Sequence, residues 1–217
     1  MGVSTVEALQ TAIDRDISWR KVELTLIKTN ILSINPPDSL ASSVLIRSAI
    51  TMLYAHWEGA IKNMANKYLS HVSSLHLPCS QLKMNFFVLS IKNRMRIDSD
   101  SNQMPILSAL VQNILSTYNQ PSRIPTKGAI STNANLTSSI FIQIMLTLGL
   151  DYSQYETKFH LIDADLVEVR NSIAHGDKYS KLVSKDSYIQ IHEAVTDLIS
   201  KISQQIVDSA INKGYLK

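Results

Sequence analysis

The sequence predicts an all-α protein, a helical bundle formed by a single domain over residues 1–217. Only six glycines and six prolines occur in the chain, so it has few of the turn residues that a sheet-rich fold requires. Apolar residues recur at intervals of three and four over most of its length, which is the period of an amphipathic helix. No segment alternates apolar and polar residues in the way a half-buried strand does.

Two long helices are expected first, followed by a variable middle. The segment "NPPDS" separates the long helices, because its two prolines lack amide donors and Asp38 or Ser39 is placed to cap the second helix. A loop over 118–135, rich in Pro, Gly, Ser and Asn, interrupts the middle segment and is long enough to predict a functional role. The helices predicted up to this point cover residues 4–33, 39–72, 80–95, 104–118 and 136–149.

Two further helices are predicted at the C-terminal end. Asp163 or Asp165 is expected to begin the first of them, since Asp165 and Glu168 have the spacing of a capping pair. Gly176 is expected to end that helix in a left-handed turn. The last helix is predicted to begin after a cap at Ser184 or Asp186 and to continue to about residue 212.

Several classes of site are excluded by composition. The single cysteine, Cys79, rules out an intrachain disulfide and a cysteine-rich metal centre, and it fits a reducing, cytoplasmic environment. The histidines show no metal-binding spacing, so neither a metal nor another cofactor is expected. No apolar run reaches the length of a membrane span, and the N-terminus lacks the pattern of a secretory signal.

Positive charge is concentrated in the middle of the chain. Residues 81–135 have six basic and two acidic side chains, whereas residues 136–217 have eight basic and ten acidic ones. Such a segment is compatible with binding a polyanion, although a solvated loop face has the same composition. The candidate RNA contacts in this segment are Lys92, Arg94, Arg96, Arg123 and Lys127.

The stretch "VRNSIAHGDKY" at 169–179 is the strongest candidate for chemistry. Arg170 and His175 are five residues apart, which on a helix is a rotation of about 140° and a rise of about 7.5 Å. Their side-chain ends can therefore converge on one edge, where Arg suits a phosphate and His exchanges protons near neutral pH. Basic residues also occur at helix C-termini for purely electrostatic reasons, so the spacing alone remains open to that reading.

Four segments of the sequence resemble the HEPN superfamily of helical ribonucleases, and specifically a bacterial HEPN-like nuclease family of toxin–antitoxin and phage-defence loci. They are "DISWRKVEL", "AITMLYAHWEGAIKNMANKYL", "NANLTSSIFIQIMLTLGLD" and "LIDADLVEVRNSIAHGD". The resemblance leaves out a basic insert over about 75–135. It implies a helical bundle that dimerises, so that two Arg-x4-His motifs build one metal-independent RNA-cleaving site. The implied products are a 2′,3′-cyclic phosphate and a 5′-hydroxyl.

The resemblance also implies roles for individual residues. Arg170 would hold and polarise the scissile phosphate, His175 would transfer protons, and Asn171 would orient the site or bind the substrate. An antitoxin or regulatory protein is the implied partner, beside RNA and a second copy of the chain. In a related group, a partner enzyme modifies a tyrosine two residues after the histidine. Here that position is Asp177 and the nearest tyrosine is Tyr179, a departure from that pattern.

The stretch "YAHWEG" in the second long helix supplies supporting candidates. Trp57 lies on the apolar stripe and is expected in the core. Glu58, near Tyr54, is a carboxylate among apolar neighbours and needs a partner. We expect Glu58 either to pair with Arg170 or to influence the charge of His175; a surface pairing with Lys62 is the alternative.

Three functions are compatible with these features. The first is a metal-independent endoribonuclease acting as a toxin or antiphage effector. The others are a non-catalytic HEPN-like module that binds RNA or a nucleotide, and a helical scaffold for dimerisation or partner docking. An intact Arg-Asn-x3-His-Gly motif favours the enzyme.

Overall fold

The computed structural model describes residues 3–37, 39–98, 103–177 and 183–217, without the side chains of residues 93–98. The described part of the chain is helical, as the sequence predicts, and contains no β-strand. Short 3₁₀ segments at Cys79–Gln81 and Ser153–Lys158 and a π-helix at Leu161–Val167 accompany the α-helices. The α-helices are α1 (Val6–Ser33), α2 (Leu40–Ser74), α3 (Met84–Asp98), α4 (Met104–Thr117), α5 (Ser138–Leu148), α6 (Glu168–Ala174) and α7 (Lys185–Ile211).

Helices α1, α2 and α7 form the centre of the bundle. Helix α1 runs antiparallel to α2, since Lys67 donates to the carbonyl of Ala12 while Arg20 lies beside His56. It is antiparallel to α7 as well. Apolar stripes of these helices pack against one another in the main core. Trp57 is fully buried, which confirms its predicted place in the core.

Hydroxyl caps fix where the long helices begin. Ser39 Oγ accepts from the amide of Ser42, and Ser184 Oγ accepts from the amide of Ser187. Each bond satisfies one of the amides that have no partner inside the helix. Ser39 and Ser184 are therefore confirmed as caps, while Asp38, the other candidate for α2, lies outside the described residues.

The predicted start of the helix before the motif is wrong. The chain is already helical from the 3₁₀ segment onwards and passes through the π-helix Leu161–Val167 into α6 without a cap. Asp163 instead accepts hydrogen bonds from the amide (2.7 Å) and the hydroxyl (2.5 Å) of Ser138, the first residue of α5. A carboxylate is favourable there because the first amides of a helix carry partial positive charge.

The insert at about 75–135 contains α3, α4 and the long loop. One face of α3 places Phe86 and Leu89 in the main core, and Leu82, just before α3, lies there as well. Phe87, Ile91 and Cys79 form a small second cluster, against which Ile114 and Tyr118 pack. Within the described residues, no helix combines the length and the apolar character that a membrane crossing requires.

An ion pair is buried between α1 and α2. Arg20 Nε lies 2.9 Å from Asp16 Oδ2, and less than a tenth of either residue is exposed. His56 extends the group, with Nδ1 3.5 Å from Arg20 Nη1 and Nε2 2.9 Å from the carboxylate of Glu23. Burial opposes ionisation of Asp16, but the hydrogen bonds and charge of Arg20 outweigh it and lower the pKa of that carboxyl.

Replacing Arg20 with methionine is expected to lower the free energy of unfolding by about 3–5 kcal/mol, because Asp16 is left charged and buried without its partner. The double variant Asp16→Leu/Arg20→Met removes both charges and is expected to cost less than the single variant. Urea denaturation of the wild type, of the single variants Arg20→Met and Asp16→Leu, and of the double variant measures this coupling. Strictly additive losses would contradict it.

Candidate functional site

The end of α6 presents the motif. Arg170 lies in the middle of α6 and is partly buried, whereas His175 caps the helix and is exposed. Gly176 has φ +77°, and its amide donates to the carbonyl of Ile173 while the amide of Asp177 donates to that of Ser172. These two bonds form a Schellman motif. The predicted left-handed stop at Gly176 is confirmed.

Three neutral groups hold the guanidinium of Arg170. Its Nη1 donates to Asn171 Oδ1 over 2.7 Å, and its Nη2 donates to the carbonyl of Ala134 over 3.2 Å. The guanidinium carbon lies 4.1 Å from the ring centre of Tyr54, over the face of the phenol. Such a contact attracts a cation without neutralising it.

A tight turn at the end of the long loop supplies one of these groups. The amide of Asn135 donates to the carbonyl of Thr132, and the two residues between them have positive φ, +51° for Asn133 and +55° for Ala134. Two positive φ values are typical of a type I′ turn. For an alanine this conformation costs on the order of 1 kcal/mol. Asn171 Nδ2 donates to Asn135 Oδ1 and ties the turn to α6.

Tyr54 connects the turn to α2. Its hydroxyl accepts a hydrogen bond from the amide of Leu136 over 2.8 Å, and its side chain is almost fully buried. Burial raises the pKa of Tyr54 to about 12, and the neighbouring carboxylate of Glu58 contributes to the shift. The phenol is therefore neutral at physiological pH and supports Arg170 as an uncharged ring.

The predicted pairing of Glu58 with Arg170 is wrong. Glu58 accepts a short hydrogen bond from the hydroxyl of Thr132 and interacts with the hydroxyl of Tyr54, one turn earlier on α2. Among the described residues it forms no ion pair with Arg170. Glu58 thus fixes the turn and the tyrosine that hold Arg170, and it does not contact the guanidinium.

Arg47 is a residue that the sequence reasoning missed. Its Nη2 donates to the carbonyl of Asp177 over 3.1 Å, directly after the turn that ends α6. Asp177 also accepts from the hydroxyl of Ser172. Arg47 shares a face of α2 with Tyr54 and Glu58, at intervals of seven and four residues. The spacing of Arg47 from Tyr54 and Glu58 could have indicated that it belongs to the site. Its partner is a backbone carbonyl, however, and no residue type identifies such a partner in the sequence.

Arg123, one of the predicted RNA contacts, lies away from Arg170. Arg123 lies beyond the C-terminal end of α2, near Ser73, and this serine is about 22 Å along the helix from Glu58. Lys92 on α3 and Lys127 in the loop are exposed. The side chains of Arg94 and Arg96, and all of Tyr179, lie outside the described residues.

The arrangement combines a fixed cation with an exposed imidazole. Neither side chain is paired with a carboxylate within the described part of the chain, so the positive charge of Arg170 remains available to an anion. An imidazole at the same helix end can accept or donate a proton. In the described residues no cluster of three or more His, Cys, Asp or Glu side chains is placed to hold a metal ion.

Comparison with known protein families gives one result. The family model for RiboL-PSP-HEPN matches residues 15–208, a range that includes every site residue named above. No curated protein and no solved structure matches the chain significantly.

Replacing Tyr54 with phenylalanine is expected to lower the free energy of unfolding by about 1–3 kcal/mol, because the buried amide of Leu136 loses its acceptor. Tyr155→Phe is the matched control. It removes a hydroxyl that donates to the side chain of Gln205, which water can replace, so a smaller loss of about 1 kcal/mol is expected. Urea denaturation measures both. Equal losses of stability in the two variants would mean that the Tyr54 hydroxyl stabilises the fold no more than the Tyr155 hydroxyl does, and would contradict the prediction.

Proposed function

The chain belongs to the RiboL-PSP-HEPN family, and we propose that it is an endoribonuclease that cleaves RNA without a metal ion. Membership of the HEPN superfamily makes it a nuclease-like or RNA-related module. The observation that supports the finer proposal is the state of Arg170. Its guanidinium is immobilised, yet its partners Asn171, Ala134 and Tyr54 are all neutral.

The proposed reaction follows from the chemistry of these two side chains. Arg170 binds the non-bridging oxygens of the scissile phosphate and stabilises the charge that grows on them. The ribose 2′-oxygen attacks phosphorus and loses its proton to a base, while the bond from phosphorus to the 5′-oxygen breaks and that oxygen gains a proton. The products are a 2′,3′-cyclic phosphate and a 5′-hydroxyl. Asn171 orients the guanidinium through its side-chain oxygen.

Each turnover needs both a base and an acid, and the motif has one histidine. We therefore propose that two copies of the chain face each other across a twofold axis, the commonest symmetry of oligomers. His175 of one copy accepts the proton of the 2′-hydroxyl, and His175 of the other copy protonates the leaving 5′-oxygen. Exposure of His175 at the end of α6 leaves it accessible to such a partner.

The proposed biological role is that of a toxin or antiphage effector acting on cytoplasmic RNA. An enzyme that cuts cellular RNA harms its own host, so a neutralising antitoxin or a regulatory protein belongs to the proposal. Both parts rest on the resemblance of the sequence to nucleases of toxin–antitoxin and defence loci.

Purified wild-type protein is expected to cleave cellular RNA in EDTA and to leave cyclic phosphate ends. His175→Ala is expected to lower the rate by about 10²–10⁴, as loss of a general acid–base does. Arg170→Lys is expected to lower it by about 10²–10³, because an ammonium group cannot keep both planar hydrogen bonds and still bind the phosphate. His160→Ala, a change to an exposed histidine outside the motif, is the matched control.

Mapping of the product ends and circular dichroism of each variant complete this experiment. Cleavage that survives in His175→Ala would place the chemistry elsewhere and contradict the proposal. RNA binding without cleavage by a verified dimer would identify a binding module instead. Growth arrest on expression of the wild type, and not of His175→Ala, is the expected cellular counterpart.

The composite site makes a second prediction, for mixtures of wild type and His175→Ala after subunit exchange. If both histidines are needed, activity follows the square of the wild-type fraction, so an equal mixture retains about one quarter of the activity. If each copy works alone, the mixture retains about one half. Measuring the rate against the mixing ratio, at concentrations where sedimentation shows dimers, separates the two cases.

A further inference from the structure

A cavity lies at the C-terminal end of α2, away from Arg170. It has a volume of about 370 Å³, which is within the range of cavities that hold small ligands. Its wall combines the end of α2, the middle of α3, the end of α4 and the first residues of the long loop. The proposed ribonuclease function makes no use of it.

Backbone pairing gives the cavity a fixed frame. The amide of Cys79 donates to the carbonyl of Gln120 over 3.0 Å, and the amide of Ser122 donates to the carbonyl of Leu77 over 2.8 Å. The hydroxyl of Ser73 on α2 also donates to the carbonyl of Ile124. The loop is therefore anchored at both sides of the cavity wall.

Ser122 provides the clearest sign of a ligand. Ser122 is one of the residues that line the cavity, only 3% of it is exposed, and its buried hydroxyl has no hydrogen-bond partner within the described residues. A buried hydroxyl without a partner is unfavourable and calls for an explanation. A polar group of a bound molecule would supply the missing partner.

His76 occupies a position where the fold favours glycine. It follows the cap of α2 and has φ +47°, the left-handed conformation in which glycine normally ends a helix. A side chain is therefore kept at a strained position at the edge of the cavity, where it brings an imidazole to the wall. Strained residues of this kind concentrate at binding sites.

The charge of the cavity indicates the class of ligand. Arg123 lines it, and among the described side chains no carboxylate shares the wall. A guanidinium suits a phosphate group, which it binds through two parallel hydrogen bonds. The C-terminal ends of α2 and α4 also border the cavity, and their partial negative charge favours the hydroxyl donors of a ligand over its phosphate, which leaves the phosphate to Arg123 and His76.

We propose that this cavity binds a small phosphorylated sugar compound, such as a nucleoside monophosphate or a sugar phosphate. Arg123 and His76 bind the phosphate, and Ser122 bonds the ligand at the base of the cavity. Hydroxyl groups of the sugar donate to the acceptors at the two helix ends. This site is separate from the motif, and its occupancy does not depend on whether the chain cleaves RNA.

Calorimetric titration with adenosine 5′-monophosphate and with ribose 5-phosphate tests the proposal. Binding of at least one of them is expected, and adenosine, which lacks the phosphate, is expected to bind at least tenfold more weakly than the monophosphate. Arg123→Gln is expected to weaken binding tenfold or more. Arg15→Gln makes the same change at an exposed arginine of α1, outside the cavity, and is expected to leave binding unchanged. Absence of binding by both phosphorylated probes would overturn the proposal.

Two further variants separate binding from folding. Ser122→Ala removes the hydroxyl without a partner, and His76→Gly relieves the strained backbone, so neither is expected to lower the melting temperature of the free protein. Both variants are expected to weaken binding of the monophosphate at least fivefold. If the variants lowered the melting temperature and left the affinity for the monophosphate unchanged, Ser122 and His76 would be purely structural residues. That result would overturn their assignment to the binding site.

A short single-stranded RNA distinguishes a second source of the same phosphate chemistry. Suppose that Arg123→Gln weakens binding of that RNA tenfold, while neither small probe binds the wild type. The cavity then contacts the substrate strand, and the small-ligand proposal fails. If the monophosphate binds and Arg123→Gln leaves RNA affinity unchanged, the small-ligand proposal is supported.

Discussion

The site depends on one constraint, that the guanidinium of Arg170 be held without being neutralised. A carboxylate in direct contact would fix the side chain equally well, but it would compensate the charge that a phosphate requires. The fold uses an amide oxygen, a backbone carbonyl and the face of a phenol instead. The pKa of that phenol, about 12, keeps it uncharged. The carboxylate of Glu58 lies nearby, but its hydrogen bonds are to Thr132 and Tyr54. It therefore supports the partners of Arg170.

Holding Arg170 in this way fixes the elements around it. The turn at Asn133 and Ala134 takes a left-handed backbone that aims a carbonyl at the guanidinium, and the stabilisation of the bundle offsets its cost. Before α6, the amide of Glu168 donates to the carbonyl of Asp163, five residues earlier, which is the bonding pattern of a π-helix. Such a segment changes the rotation of every residue that follows it and is frequent at functional sites. It therefore helps to set which face of α6 presents Arg170 to α2.

Those parts of the fold that depend on nearby residues were predictable from the sequence. The two long helices, the caps at Ser39 and Ser184 and the stop at Gly176 follow from period, proline position and short-range hydrogen bonds. Asp163 shows where such reasoning ends, because a carboxylate can cap its own helix or one that begins 25 residues earlier, and the local pattern is the same. The backbone carbonyls of Ala134 and Asp177, which bind Arg170 and Arg47, escaped prediction for a related reason. Every residue has such a carbonyl, so the residue type does not mark it as a partner of a cation.

The long loop joins the two sites physically. It begins at the wall of the cavity, with Gln120 and Ser122, and ends in the turn whose carbonyl holds Arg170. A helix of 35 residues, α2, runs beside it and supplies Ser73 at one site and Tyr54 at the other. A ligand changes affinity at a distant site only when it binds one arrangement of the connecting segment better than another, and the effect is then reciprocal. Because Ser73 bonds the loop at Ile124 and Tyr54 bonds it at Leu136, the loop residues between these two anchors and α2 itself are two direct connections through which such a coupling can pass.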